Sequence, residues 1–197
     1  MLIGLNGRIG AGKNTVAQRL AMLHGNVIEV SFAAKLKESV CALLGCTLHD
    51  LEVWKNKPER CVAVGTLVDG LGFVPHKDTV MTVRELLQRY GTEAHRDVFG
   101  EDFWLDAALP LHDWFYRDDI LYVVTDMRFP NEAARVQGLG GVTVQVIGPD
   151  EHSGDHRSEI PLVCDYGLNN ARRDDGFAAL DRNLRQLLGA ISVPLAA

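Results

Sequence analysis

A glycine-rich turn that ends in a lysine occupies residues 7–15, which read Gly-Arg-Ile-Gly-Ala-Gly-Lys-Asn-Thr. An apolar run at 2–5 precedes this turn and an amphipathic segment follows it, so it joins a predicted strand to a predicted helix. Glycines let such a backbone bend tightly and bring several N–H groups toward one anion. The helix adds the positive end of its dipole, and Lys13 adds a mobile cation. The spacing fits GxxxxGK and predicts a loop that binds a nucleoside triphosphate, with a purely structural turn as the alternative.

The residue after the lysine departs from the usual pattern of such loops. They commonly carry Ser or Thr there, with a hydroxyl that reaches Mg²⁺, whereas this chain has Asn14 followed by Thr15. We therefore expect Asn14 to supply an oxygen near the metal. The residues predicted to bind the nucleoside triphosphate are Gly7, Gly10, Ala11, Gly12, Lys13, Asn14 and Thr15.

A second set of candidate groups follows the apolar run at 120–124, where the chain reads Thr125-Asp126-Met127-Arg128. In doubly wound α/β sheets, ligands bind beyond the carboxyl ends of the strands. Asp126 is predicted either to hold Mg²⁺, directly or through water, or to cap a helix or turn. Arg128 is predicted either to clamp a transferring phosphoryl group or to pair with Asp126. Lys13, Asp126 and Arg128 are the predicted catalytic residues.

Apolar runs and amphipathic segments alternate along the chain, which predicts a doubly wound α/β fold of the P-loop NTPase type. Its mainly parallel, five-stranded sheet would be flanked by helices, all in a single domain over 1–197. A capping-box pattern begins the helix at 82–85, and the stretch 62–74 is read as a hairpin or a folded loop. Strands are predicted at 2–5, 27–32, 120–124, 142–147 and 167–169, and helices at 13–24, 33–44, 83–90, 102–116, 130–138 and 177–188, with the helix over 102–116 broken near Pro110.

Bulk composition narrows the class of protein. The 197 residues carry a formal net charge of −6, which argues against a binder of nucleic-acid polymers. Four scattered cysteines form no CxxC pair, and no apolar run approaches the length of a membrane span. We therefore expect a protein of the cytoplasm with reduced thiols and no membrane association.

Several blocks besides the loop resemble the deoxynucleoside monophosphate kinases of bacteriophages, within the P-loop nucleoside-monophosphate kinases. They span most of the chain in the family's order. Two features depart from the family: Asn14 stands where Asp is common, and 61–76 match no family block. The matching blocks are 32–38, 84–88, 90–93, Arg96, 99–104, 124–132, 156–159 and 165–169, together with the last helix.

The resemblance implies ATP as phosphoryl donor, Mg²⁺ as cofactor and a deoxynucleoside monophosphate as acceptor. It implies that Lys13 bridges the donor phosphates and that Arg128 lies between the two nucleotides. An acceptor-binding helical region would cover about 33–118, and the polar segment 149–161 would be a closing lid. The residues assigned by resemblance to the acceptor are Lys37, Arg84 and Arg96 for its phosphate, Trp104 for stacking on its base, and Ser158 or Glu159 near the base or lid.

Other readings stay open at this point. A dephospho-coenzyme-A-kinase-like enzyme or another small-molecule kinase would phosphorylate a hydroxyl group, with Asp126 helping to remove its proton. The run 56–59 resembles a guanine-reading motif of regulatory GTPases, but it ends in Glu and lies too early in the chain. A zinc site at His152 and His156 is rejected, because the residues between them read as a loop and no cysteine pair is near. Related phage enzymes suggest a homodimer and the host cytoplasm. The base that is accepted and the preference for deoxyribose over ribose are not readable from the sequence.

Overall fold

The computed structural model describes residues 1–8, 10–63, 65–68, 72–75, 80–110, 117, 119–148, 162–170 and 176–192, with 65–68 and 72–75 described as backbone only. These residues group into two compact units, Met1–Phe32 with Leu105–Ala197, and Ala33–Trp104. We call them unit 1 and unit 2. The predicted lid at 149–161 lies outside the described residues, and organisation as a single domain stays a prediction.

The elements alternate between strands and helices over most of the chain. In chain order they are β1 (Leu2–Asn6), α1 (Lys13–His24), β2 (Val27–Val30), α2 (Phe32–Leu44), α3 (Leu48–Lys55), β3 (Cys61–Val62), β4 (Gly65–Val68), β5 (Gly72–Pro75), β6 (Met81–Thr82), α4 (Val83–Gly91), a π-helical turn (Thr92–Arg96), α5 (Asp97–Phe99), α6 (Phe103–Ala108), β7 (Leu121–Val124), α7 (Pro130–Gly138), β8 (Val142–Ile147), β9 (Tyr166–Asn169) and α8 (Ala178–Ala190).

Five parallel strands form the sheet of unit 1 among the described residues, in the order β2-β7-β1-β8-β9. β1 lies at the centre and is buried along its whole length. Its alternate side chains enter different cores, because successive residues of a strand point to opposite faces. Ile3 and Leu5 pack with α1 and α8, whereas Leu2 packs with α7 on the other face. Helices therefore cover both faces, and the predicted α/β class is confirmed.

Unit 2 contains a separate apolar core, in which α2, α3 and α4 contribute buried residues that include Val40, Leu51 and Leu87. Two capping boxes begin its helices, as Thr47 pairs with Asp50 and Thr82 pairs with Glu85. The second box is the one predicted from the sequence. These hydrogen bonds from Thr82 hold the pKa of the Glu85 carboxyl below its usual value.

Several predicted boundaries were wrong or incomplete. β2 ends at Val30 rather than at 32, because α2 begins at Phe32. The helix predicted over 102–116 begins one residue later, at Phe103, and α6 ends at Ala108, which agrees with the break predicted near Pro110. Residues 111–116 lie outside the described residues. The stretch 62–74 contains the antiparallel pair β4–β5, which fits the hairpin alternative. No helix among the described residues is long and apolar enough to cross a membrane.

Gly141, between α7 and β8, provides a test of this packing. A Cβ at Gly141 would lie 2.8 Å from the carbonyl oxygens of both Leu2 and Val136. We expect Gly141→Ala to lower the free energy of unfolding by about 1–3 kcal/mol, because backbone atoms must move to admit the methyl group. Urea denaturation measures the change.

The matched control is Gly138→Ala at the end of α7, where a Cβ would meet nothing within 4 Å. This variant should unfold at the same urea concentration as the parent chain or at a slightly higher one, because alanine is the better helix former. Equal stability of the two variants would contradict the packing described.

Candidate active site

The polar groups of unit 1 gather where its parallel strands end. The glycine-rich loop follows β1, Ser31 follows β2 and Asp126 follows β7. Gly148 and Asn170 follow β8 and β9 in the same way. Since parallel strands end at one edge of a sheet, these groups share the edge where such folds bind ligands.

The loop after β1 packs closely against the neighbouring strand ends. The side-chain oxygen of Asn6 accepts a hydrogen bond of 2.7 Å from the backbone N–H of Gly7, and its amide donates to Gln145 of β8. A Cβ at Gly7 would lie 2.6 Å from the carbonyl oxygen of Val146, and one at Gly148 would lie 2.7 Å from Cα of Ala11. Only glycine permits these approaches without a shift of the backbone.

The amino-terminal end of α1 lacks a side-chain cap among the described residues. Its N-cap is Gly12, whose φ of 85° lies in the left-handed region, and the first turn contains no acidic residue. Uncapped N–H groups and the positive end of the helix dipole form a ready site for an anion. The side chains of Asn14 and Thr15 make no hydrogen bond within the described part of the chain, so both oxygens are available to a ligand.

Lys13 folds back over this loop. Its ammonium group donates to the carbonyl oxygen of Gly7 and, at 3.1 Å, to that of Arg8. Burial lowers the pKa of Lys13, the positive charge of Arg128 lowers it further, and the negative charge of Asp126 raises it. The structure thus brings together the three predicted catalytic residues within electrostatic range of one another.

Asn170 fixes the loop from its other side. This residue is buried, and its side-chain amide donates a hydrogen bond of 2.8 Å to the carbonyl oxygen of Ala11. A Cβ on Gly12 would collide with the same amide nitrogen. Sequence reasoning missed Asn170, although it stands directly after the last predicted strand and the strand-end rule that selected Asp126 would have found it.

Asp126 accepts two hydrogen bonds at the start of α2. Ser31 Oγ donates to Oδ2 at 2.7 Å, and the backbone N–H of Phe32 donates to Oδ1 at 2.9 Å. The capping alternative for Asp126 is therefore present. It does not preclude a metal-related role, because each carboxylate oxygen can accept further bonds.

The backbone of Arg128 is positioned by Glu132 of α7. This carboxylate is 3% exposed and accepts hydrogen bonds from the N–H groups of Arg128 at 2.6 Å and Phe129 at 3.0 Å. Pro130 at the first helical position adds the φ angle that a helix start requires. The exposed side chain of Arg128 thus extends from a rigid turn.

In unit 2, Lys37 lies in a small charged cluster. Its Nζ lies 2.7 Å from Oε1 of Glu52, so the two side chains form an ion pair. Lys55 lies 2.6 Å from the other oxygen of the same carboxylate. The two ammonium groups, Lys37 first, hold the pKa of Glu52 below its usual value. One positive charge remains in excess over these three side chains.

The remaining candidates of unit 2 differ in exposure. Arg84 is exposed, with a weak hydrogen bond of 3.4 Å to Asn56, and Arg96 belongs to the π-helical turn. Trp104 is only 5% exposed, and its indole N–H donates to the carbonyl oxygen of Gly91 at 2.9 Å. These are contacts of a packed side chain, and stacking of Trp104 on a base stays a prediction. Ser158 and Glu159 lie outside the described residues.

Comparison with known proteins identifies the family. The family model for deoxynucleotide monophosphate kinases matches residues 36–176. The chain belongs to this family. It is 32% identical over 178 residues to a protein of Acanthamoeba polyphaga mimivirus named as a deoxynucleotide monophosphate kinase, with 82% of each chain covered. It is 26% identical over 110 residues to the deoxynucleotide monophosphate kinase of Escherichia phage RB69, which covers 53% of this chain and 45% of that protein.

The resemblance stated from the sequence is thereby confirmed, and the chain is a nucleotide kinase. The matched range 36–176 begins after α1 and so excludes the glycine-rich loop. The loop is thus an independent observation. Its spacing and its packing at the sheet edge agree with what a nucleotide kinase needs.

Asn170 allows a test of how the loop is held. We expect Asn170→Ala to lower the free energy of unfolding by about 1–3 kcal/mol, because the buried carbonyl of Ala11 loses its partner. Urea denaturation gives the loss, and hydrogen exchange of the amides at 10–13 should become faster.

Asn183→Ala is the matched control, because that side chain also donates to a backbone carbonyl, that of Asn169, at a more exposed place. Its loss should be under about 1 kcal/mol and should leave exchange at 10–13 unchanged. If the two variants behaved alike in the loop, Asn170 would not be what holds it.

Proposed function

We propose that this chain transfers the γ-phosphoryl group of ATP to a deoxynucleoside monophosphate, giving the diphosphate and ADP, with Mg²⁺ as cofactor. The observation that carries the proposal is the uncapped glycine-rich loop with Lys13, Arg128 and Asp126 close together, in a chain of the deoxynucleotide monophosphate kinase family.

We assign the binding of ATP, the phosphoryl donor, to unit 1. The N–H groups at the start of α1 take the inner phosphates of ATP, as residues 7–15 wrap around them. Lys13 then exchanges the carbonyl oxygens of Gly7 and Arg8 for the outer phosphates. This exchange is favourable because a phosphate oxygen carries a full negative charge, whereas a carbonyl oxygen carries only a partial one.

The residues at this edge fit a magnesium ion. Asn14, Thr15 and Asp126 provide hard oxygen donors, which Mg²⁺ prefers, and this metal commonly keeps several waters as well. Asn14 or Thr15 would hold it from the first turn of α1, and Asp126 would act directly or through water. When bound, the ion neutralises charge on the donor phosphates.

The acceptor requires no catalytic base. The second pKa of a phosphate monoester is about 6, so its oxygen is already an anionic nucleophile near pH 7. The enzyme must instead offset repulsion between two anions and the charge on the moving phosphoryl group. Arg128 is assigned this electrostatic role, because its backbone is fixed by Glu132 and its charge reaches Lys13.

The phosphate of the acceptor is assigned to cationic side chains of unit 2, namely Lys37, Arg84 and Arg96. Lys37 and Lys55 share one carboxylate, that of Glu52, so a second anion can be accommodated by the excess positive charge. The lid over 149–161, with Ser158 and Glu159, belongs to the same proposal. So do the host cytoplasm as the site of the reaction and a homodimer as the assembly.

A panel of acceptors tests the reaction. ADP release with ATP and Mg²⁺ should rise on addition of at least one deoxynucleoside monophosphate, measured over the eight common ribo- and deoxyribonucleoside monophosphates. Lys13→Met should reduce this turnover by about 10²–10³-fold, because a charge aimed at the donor phosphates is removed.

The fold of that variant should persist. The charged form of Lys13 is disfavoured in the folded chain, so Lys13→Met should melt at or above the temperature of the parent chain at pH 7. Any such advantage should shrink as pH rises through the lowered pKa of Lys13, where the parent chain sheds the proton. ADP release that responds to hydroxyl acceptors, such as dephospho-coenzyme A, and to no monophosphate would favour the alternative kinase class.

The variant Asp126→Asn distinguishes the capping role of this side chain from the role of its negative charge. The amide can still accept from Phe32 and bond to Ser31, but it has no charge. We expect turnover to fall by at least about 10-fold, with a higher Mg²⁺ concentration needed for half-maximal rate.

Ser31→Ala is its control, because it removes one hydrogen bond to Asp126 and keeps the negative charge. This variant should lose about 1 kcal/mol of stability and keep its Mg²⁺ dependence. A parallel loss of activity in both variants would assign Asp126 to capping alone.

A further inference from the structure

An aromatic cluster in unit 2 has an exposed member. Phe99 of α5 is 66% exposed, and its ring stacks on that of Phe103 with centroids 5.3 Å apart and planes 28° apart. Phe103 in turn meets the buried Trp104 edge-on at 4.9 Å. Packed neighbours hold this ring from one side, so its exposed side presents an apolar face on which another flat ring can stack.

His95 lies beside the same cluster. Its ring centroid is 6.1 Å from that of Phe99, 5.0 Å from that of Phe103 and 4.8 Å from that of Trp104. Its Nδ1 lies 2.6 Å from the carbonyl oxygen of Tyr90. A carbonyl only accepts, so Nδ1 carries the proton and Nε2 is the acceptor of the neutral ring. Within the described residues, Nε2 has no hydrogen-bond partner.

A cationic residue, Arg96, lies near these aromatic residues in the chain. Arg96 follows His95 in the π-helical turn and precedes Phe99 by three residues, a spacing that makes helical side chains neighbours. Single π-helical turns of this kind are frequent at functional sites. An arginine, an exposed aromatic face and an acceptor nitrogen are the groups that recognise an anionic molecule with a flat heterocycle.

We propose that Phe99, flanked by His95, is the stacking platform for the base of the acceptor nucleotide, with Arg96 on its phosphate side. The inference rests on the proposed function, whose acceptor it locates. Trp104 then acts from behind, by packing against Phe103 and His95, rather than by touching the base. A base has an apolar face and polar edges, which matches an exposed ring beside the Nε2 acceptor.

The test compares Phe99→Ala with Val98→Ala, since the neighbouring Val98 is equally exposed at 66%. Phe99→Ala should raise the KM for the preferred deoxynucleoside monophosphate by about 5- to 100-fold, the range expected for loss of one base-stacking contact. The kcat and the KM for ATP should stay within about twofold of the parent values. Val98→Ala should leave all three constants unchanged, and Phe99→Tyr or Phe99→Trp should restore the acceptor KM.

A probe without a base distinguishes stacking from a change of fold. Calorimetric titration with 2-deoxyribose 5-phosphate should give the same affinity for the parent chain and for Phe99→Ala, while titration with the full monophosphate should not. An equal loss for both ligands, or no loss for either, would overturn the platform. The exposed ring could instead contact a second copy of the chain, and sedimentation velocity tests this alternative. If Phe99→Ala dissociates a dimer but keeps its affinity for the monophosphate, the platform is wrong and the ring belongs to a dimer interface.

These measurements separate the two proposals. If the parent chain binds the monophosphate more tightly than Phe99→Ala does but transfers no phosphoryl group to it, the proposed function is wrong and the stacking proposal is supported. If the parent chain phosphorylates the monophosphate and Phe99→Ala does so with the same acceptor KM, the stacking proposal is wrong and the proposed function is supported.

Discussion

The structure of the site depends on one close approach, that of the glycine-rich loop to the ends of β8 and β9. Gly7 meets the backbone of Val146, Ala11 meets Gly148, and Asn170 binds the carbonyl oxygen of Ala11. A Cβ atom at Gly7, Gly12 or Gly148 would collide with neighbouring atoms, so these positions require glycine. Among the described residues, no side chain caps the N–H groups at the start of α1. The loop is thus held in a conformation that keeps its donors available to an anion.

In the protein without a ligand, the environment of Lys13 is unfavourable for its positive charge. Burial and the neighbouring Arg128 both disfavour the charged form of Lys13, and only the charge of Asp126 opposes them. A bound polyanion reverses this balance, because it attracts both cations and replaces the water that burial removed. Affinity gained in this way also stabilises the folded state, by an amount that grows with ligand concentration over Kd. Binding and stability are therefore linked at Lys13.

Sequence reasoning succeeded where the residues alone carry the signal. Continuous apolar runs located β1, β7 and β8, and spacing located the loop and α1. It missed α3, whose eight residues are mostly polar or exposed and whose buried contact is Leu51. It selected Trp104 by residue type and by its place in a family block, and the burial of this side chain is visible only in the folded chain. The strand-end rule could have placed Asn170 at this edge of the sheet, but its hydrogen bond to Ala11 depends on the distance between strand ends, which only the folded chain defines.

Asp126 shows why a strand-end residue need not have a single role. The position after a strand is where the next helix or turn must be capped and also where a ligand binds, so both demands select short polar side chains. The hydrogen bonds from Ser31 and Phe32 fix the carboxylate in place. Both donors are neutral groups, so they orient the carboxylate without balancing a charge on it. A cap of this kind therefore also fixes a carboxylate at the edge of the sheet where such folds bind ligands.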